Sequence, residues 1–285
     1  MTEPPAPRPT RHSPSYANGN RISPRKQFGQ HFLTDPNILQ KIVRAAEIQP
    51  GEVVVEIGPG LGHLTRALSD AGAHVVAIEI DRELAARLRV ELQANPAITL
   101  LEGDFMTATP AEWLVRAGLS GARYKVVANL PYYITSAILR QLLETESQPN
   151  LVVVMVQREV AQQLTARPND MSLLAVSVQF YGHPQIVDIV PAGAFYPRPK
   201  VDSAIVRLQV ESPSRWPEVD AARFFNLVRA GFGERRKQLR NALAHRLGQN
   251  PAEIDLRLAR AGIDPRRRAE TLSMEEWRRL DQQFS

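Results

Sequence analysis

A chain of 285 residues that is 44% apolar, 23% charged and 6% aromatic has material for a sizeable core and about two domains, and is neither disordered nor fibrous in composition. Its longest unbroken apolar run, Leu151 to Val156, is far too short to span a bilayer, so no membrane is expected as a partner. The absence of cysteine excludes disulfides, thiolate metal sites and a cysteine nucleophile and fits a reducing, cytoplasmic setting; the six histidines show no metal-ligand spacing, so no metal is expected either.

The net charge of +5 is unevenly spread. Residues 1–30 carry five Lys/Arg against one acid, residues 31–206 fourteen against eighteen, and residues 207–285 sixteen against eleven. An acidic middle between basic ends points to a body that holds a small cationic or polar ligand, with flanks that meet a polyanion. Charge that merely solvates two faces is the plainer alternative.

Residues 1–24 are rich in proline with Ser, Asn and Arg, and read as a disordered basic tail. From about Asp35 onward, short Val/Ile/Leu-rich blocks at Glu52–Ile57, Ala73–Glu79, Ile98–Leu101, Tyr124–Asn129 and Leu151–Gln157 alternate with helical patterns near 36–47, 61–71, 82–94, 134–144 and 158–166. Near-continuous apolar strands alternating with amphipathic helices predict an α/β, doubly wound parallel sheet covered on both faces. Leu173–Tyr181 and Ser203–Val210 read as period-two strands closing one edge of that sheet. Beyond a Ser/Pro-rich linker, helices are expected near 217–230, 235–248, 251–260 and 273–283, punctuated by Gly248, Pro251, Gly262 and Pro265. The organisation predicted is a tail (1–24), a catalytic domain (25–210) and a small helical domain (211–285).

The first strand runs into Gly58-Pro59-Gly60-Leu61-Gly62, where glycines let a backbone approach a ligand and leave N–H groups free at a helix start. Glu79 ends the next strand 21 residues after Gly58, placed to accept both hydroxyls of a ribose, and Asp104 follows the third strand on the same edge. Strand ends carrying Gly, Glu and Asp describe an adenosine-binding crevice. Between a nicotinamide dinucleotide and S-adenosylmethionine, the latter fits better: the third glycine comes too early for the dinucleotide fingerprint, and Glu56 would repel a pyrophosphate while suiting an ammonium or sulfonium.

The fourth strand ends in Asn129-Leu130-Pro131-Tyr132. The exocyclic amine of adenine is a poor nucleophile because its lone pair is delocalised into the ring. The Asn129 side-chain oxygen and the Leu130 carbonyl, exposed by the bend at Pro131, are acceptors that can draw that nitrogen toward tetrahedral geometry and stabilise the charge developing on it. Tyr132 offers a ring on which an extruded base can stack. In the last segment Arg229, Arg235, Arg236, Lys237 and Arg240 surround Phe232-Gly233, with Arg236 and Arg240 one helical turn apart, and Arg266-Arg267-Arg268 adds a second cluster; both suit a phosphate backbone.

Taken together, Phe28-Gly29-Gln30-His31-Phe32-Leu33, the Glu56–Gly62 loop with Leu64-Thr65, Asn129–Tyr132, Gln157–Ala161 and Phe195–Ser203 resemble the ribosomal RNA adenine dimethyltransferases of the kasugamycin-sensitivity type, in order from about Arg25 to about Leu243. The resemblance implies a class I methyltransferase domain with a small helical domain, S-adenosylmethionine as cofactor without a metal, and N6-dimethylation of two adjacent adenosines near the 3′ end of small-subunit rRNA in the 30S particle, by a monomer. It places cofactor contacts on His31, Leu33, Gly58, Glu79, Asp104 and Asn129, with His31 at a position where the family often has Asn. It makes Phe195 a second aromatic wall opposite Tyr132; a core Phe ahead of a proline turn is the alternative. His63 and His74 read as ordinary helix and strand residues.

Overall fold

The computed structural model describes residues 24–25, 28–211, 216, 218–234 and 236–285; the expected tail over 1–24 therefore lies almost wholly outside the described residues. A two-residue strand β1 (Phe32–Leu33) leads into helix α1 (Pro36–Ala46), which starts where Asp35 accepts the Asn37 N–H and Pro36 fills a position needing no donor. Four β-α steps follow: β2 (Val53–Ile57) and α2 (His63–Asp70), β3 (His74–Glu79) and α3 (Arg82–Leu92), β4 (Ile98–Glu102) and α4 (Pro110–Arg116), then β5 (Tyr124–Asn129) and α5 (Thr135–Leu143). The chain continues through β6 (Leu151–Gln157), α6 (Arg158–Leu164), α7 (Leu173–Gln179), β7 (Gly182–Val190), β8 (Phe195–Tyr196) and β9 (Ser203–Val210).

Seven strands form one sheet in the order β4-β3-β2-β5-β6-β9-β7; β2 to β6 pair in parallel, while β9 pairs antiparallel with β6 and with β7. Side-chain alternation divides the core. Val54, Val75, Val127 and Val153 face the layer with α1 and α2, whereas Val55, Val76, Val126 and Val154 face the opposite layer. The strand order reverses between β2 and β5, so a crevice opens above their carboxyl ends.

Two expectations need correction. Leu173–Tyr181 is not a strand: it forms α7, capped where Ser172 accepts the Ala175 N–H, with Ala175, Val176, Ser177 and Val178 all buried. In a helix of only seven residues, Leu174, Val176 and Val178 alternate with Ala175, Ser177 and Gln179 as they would along a strand, so the two-residue period misleads. The edge strand lies just beyond, at β7, whose largely exposed residues include Pro184, a residue at home on an edge. Helix α4, absent from the sequence reading, carries a reciprocal cap in which Thr109 and Glu112 each bond the other's backbone.

The last helices are α8 (Ala221–Phe232), α9 (Leu239–Leu247), α10 (Pro251–Arg260) and α11 (Met274–Asp281). They join the sheet's second layer through Phe180, whose ring lies 4.7 Å from Phe224, 5.0 Å from Phe225 and 5.8 Å from Trp216. Phe180 is fully buried. Phe180→Ala is expected to lower stability by about 3–5 kcal/mol, read from urea denaturation; a loss below about 1 kcal/mol would mean that these rings do not couple α8 to the sheet.

Candidate active site

An open cleft lies at the switch point, lined by the segment 28–33, the loop 58–61, Glu56, His63, Leu64, Glu79 and the turn 129–132. The loop after β2 takes positive φ at Gly58, Gly60 and Gly62; at Gly60 a β-carbon would also come within 3.0 Å of the Phe32 ring, so strap and loop are packed as closely as glycine permits.

Glu79 is buried with both oxygens engaged: Oε2 accepts the Gly60 N–H at 3.0 Å and Oε1 the Asp81 N–H at 2.8 Å. The carboxylate therefore fixes the glycine loop relative to α3, a structural duty that its position in the sequence does not reveal. A carboxylate has about four acceptor directions, so these two bonds leave room for hydroxyl donors from the cleft. Burial raises its pKa, against the pull of the two N–H groups.

Glu56 is buried more deeply, and its Oε2 has no hydrogen-bond partner. Burial pushes it up to about 8; the nearby Thr65 hydroxyl offsets part of this and the charge of Glu79 adds to it. A buried acid facing the cleft without a partner is a place where an ammonium or another cationic donor is favoured.

The strap over 28–33 is tied down from several sides. Gln30 donates to Asp81 at 3.1 Å, and Arg25 pairs with Asp81 at 3.3 Å and with Glu83 at 2.6 Å. The Asn129 side-chain N–H donates to the His31 carbonyl at 3.0 Å. His31 donates through Nδ1 to the Pro197 carbonyl at 2.7 Å, a bond that fixes its tautomer, and its ring stacks on Tyr132 at 5.7 Å with 23° between planes. The Tyr132 hydroxyl meets Ser203 Oγ at 2.6 Å, and burial raises the phenol pKa. His63, read from sequence as having no role, lines the cleft and donates to the Leu33 carbonyl at 3.0 Å. Its place as the first residue after the glycine loop was the available signal.

Of the residues singled out in the sequence, His31, Leu33, Gly58, Glu79, Asn129, Leu130, Pro131 and Tyr132 come together in this lining. Phe195 does not. It is 3% exposed and packs in the apolar cluster with Leu33, Val190 and Ile205, because β8 pairs with β1 and sets Phe195 opposite Leu33; the ring beside Tyr132 is that of His31. Asp104 is also outside the lining, its side chain accepting the Met106 N–H at 2.9 Å as a local cap. In the C-terminal cluster Lys237 pairs with Glu234 at 2.7 Å and Arg240 with Asp255 at 3.1 Å. Arg236 precedes α9 and does not share a helical face with Arg240, while Arg235 lies outside the described residues. No helix among the described residues is long and apolar enough to cross a membrane.

The family model described as ribosomal RNA adenine dimethylase matches residues 21–284. A ribosomal RNA small subunit methyltransferase A of Dehalococcoides mccartyi is 50% identical over 262 residues, covering 92% of this chain and 89% of that one. A protein of the same name from Moorella thermoacetica is 48% identical over 264 residues, covering 90% and 91%. Among solved structures, a dimethyladenosine transferase from Plasmodium falciparum superposes with a TM-score of 0.74 at 25% identity, covering 88% and 96%. The 23S rRNA methyltransferase ErmE does so with a TM-score of 0.70 at 29% identity, covering 88% and 98%.

The Glu56 environment has a consequence for stability. Its folded pKa of about 8 lies above the ordinary 4.5, so its contribution is complete below about pH 4.5 and is lost as pH rises toward 8. Denaturation midpoints of the ligand-free protein should fall across that window, and Glu56→Gln should flatten the fall. Equal slopes in the two proteins would show that the buried acid is not held protonated.

Proposed function

The chain belongs to the ribosomal RNA adenine dimethylase family, and we propose that it dimethylates N6 of two adjacent adenosines near the 3′ end of small-subunit rRNA, using S-adenosylmethionine, as a cytoplasmic monomer acting on the 30S particle. In this reading residues 25–210 carry the transfer and residues 211–285 contribute to holding the RNA. The small-subunit names of the relatives, at up to 50% identity, support this substrate over the large-subunit RNA named for ErmE at 29%.

One observation carries the chemistry. Because the Asn129 amide nitrogen is committed to the His31 carbonyl, its Oδ1 is turned away from that bond, and among the described residues no donor reaches Oδ1 or the Leu130 carbonyl. The Pro131 carbonyl, by contrast, is consumed by Thr135 and Ile134 at the start of α5. Two acceptors are thus left free at the end of β5, as many as an adenine amine has hydrogens. They draw the nitrogen toward tetrahedral geometry and stabilise the positive charge that grows there. Tyr132 supplies a stacking face, oriented by Ser203 and His31.

The residues present fit the cofactor. Glu56 Oε2 would meet the amino-acid ammonium, the bare backbone from Gly58 to Gly60 admits close approach, and Glu79 has acceptor capacity left for a ribose. When bound, S-adenosylmethionine supplies a methyl group on a sulfonium leaving group. The protein's share is to hold the acceptor nitrogen in line with the transferring methyl group.

The test is transfer of labelled methyl groups to small-subunit particles lacking the modification, compared with large-subunit RNA and with DNA. Dimethyladenosine should appear in the first alone; label in large-subunit RNA would favour the ErmE-like substrate. Asn129→Ala should raise the barrier of both transfers by about 2–4 kcal/mol, with unequal effects, since the monomethylated amine keeps one hydrogen for two acceptors. Single-turnover assays separating mono- from dimethyladenosine check this, and near-normal dimethylation would remove Asn129 from the chemistry. Tyr132→Phe, a change that stacking alone would tolerate, should also lose activity because the hydroxyl anchors the ring to Ser203.

A further inference from the structure

An extruded base remains attached to its strand, so the ribose-phosphate must leave the cleft over one side of its mouth. The two sides differ in charge. Toward β3 and β4 stand the acids Glu79, Asp81, Glu83 and Asp104, of which Asp81 and Glu83 share the single cation Arg25. Toward β6 and β9 stand Arg158, Arg198 and Lys200, all exposed and, among the described residues, without an acidic partner.

The backbone segments that carry these three cations are tied to the end of β6 and to side chains lining the cleft. Arg158 follows Gln157 at the carboxyl end of β6, the neighbour of β5, and its N–H bonds the Asp202 carbonyl at 3.0 Å. Arg198 follows Pro197, whose carbonyl takes the His31 proton at 2.7 Å, and Lys200 lies three residues before Ser203, which holds the Tyr132 hydroxyl at 2.6 Å. The loop that bears Arg198 and Lys200 is thus pinned at both ends to side chains lining the cleft. The acids of this edge are Asp202, whose carboxylate takes the Ala192 N–H at 3.0 Å, and Glu159.

Resting on the function proposed above, we infer that Arg158, Arg198 and Lys200 bind the phosphodiesters flanking the target adenosine, setting the direction in which the RNA strand leaves the cleft. Of the C-terminal cations, Lys237, Arg240, Arg266 and Arg267 are each paired with an acid, which a phosphate would have to displace, whereas Arg229 and Arg236 are exposed and farther along the chain from the segments that line the cleft.

The experiment uses the full chain and small-subunit particles lacking the modification. Wild type, the triple variant Arg158→Gln/Arg198→Gln/Lys200→Gln, and Lys237→Gln/Arg240→Gln are compared in binding titrations between about 50 and 200 mM salt. The triple variant should lose roughly 0.7 from the magnitude of the log-log salt slope per contact removed, about 2 in all. Its KM for RNA should rise while S-adenosylmethionine affinity and kcat stay near wild type. A triple variant with normal cofactor affinity and an unchanged slope overturns the proposal, as does a loss confined to the C-terminal variant. If wild type itself fails to methylate the small-subunit particles, the functional reading falls, and the role of Arg158, Arg198 and Lys200 with it; if wild type methylates and the triple variant is unaltered, only that role falls.

Discussion

The hydrogen bond from the Asn129 amide to the His31 carbonyl joins residues 98 positions apart, and the site depends on it. It closes the strap at 28–33 over the end of β5 and decides which way the amide oxygen points. His31 then passes the constraint on, through Pro197 on one side and the Tyr132 ring on the other, while Ser203 returns it to the sheet as the first residue of β9. Four chain segments meet around two acceptors, each held by a group outside the reacting pair. An acceptor free to rotate would bond water or a neighbouring N–H; preorganisation removes that alternative before the substrate arrives.

The other half of the cleft is organised by acids rather than aromatics. Glu79 spends part of its capacity on backbone N–H groups, so loop position and ligand recognition run through a single side chain. Glu56 has no such partner, and burial keeps its proton on to about pH 8. A cationic ligand beside it would favour the ionised form, so binding in this half is linked to release of a proton at neutral pH.

Much of this was legible in the sequence, for physical reasons that also explain the failures. Strands buried on both faces, such as Val152–Val156 within β6, read as continuous apolar runs, and the glycines at 58, 60 and 62 mark the turn that only they can make. The same logic fails at α7, whose seven residues alternate apolar and smaller or polar side chains as a strand would. The cap at Thr109 and Glu112 was written in the chain and announces α4, though its helix is short. Phe195 could not be placed from its own segment, because its burial is decided by pairing with Leu33, 162 residues earlier. Likewise the ion pairs of Lys237 and Arg240, one of them with Asp255 on a different helix, could not be read from the basic cluster itself.

The central claim is geometric: Asn129 Oδ1 and the Leu130 carbonyl receive the two hydrogens of one adenine amine. A crystal structure with adenosine and a non-reactive analogue of S-adenosylmethionine measures it directly. The account predicts the adenine N6 about 2.7–3.1 Å from both oxygens, with the base stacked on Tyr132. An adenine whose N6 lies away from either acceptor, or an Asn129 amide turned so that its nitrogen faces the base, would contradict it.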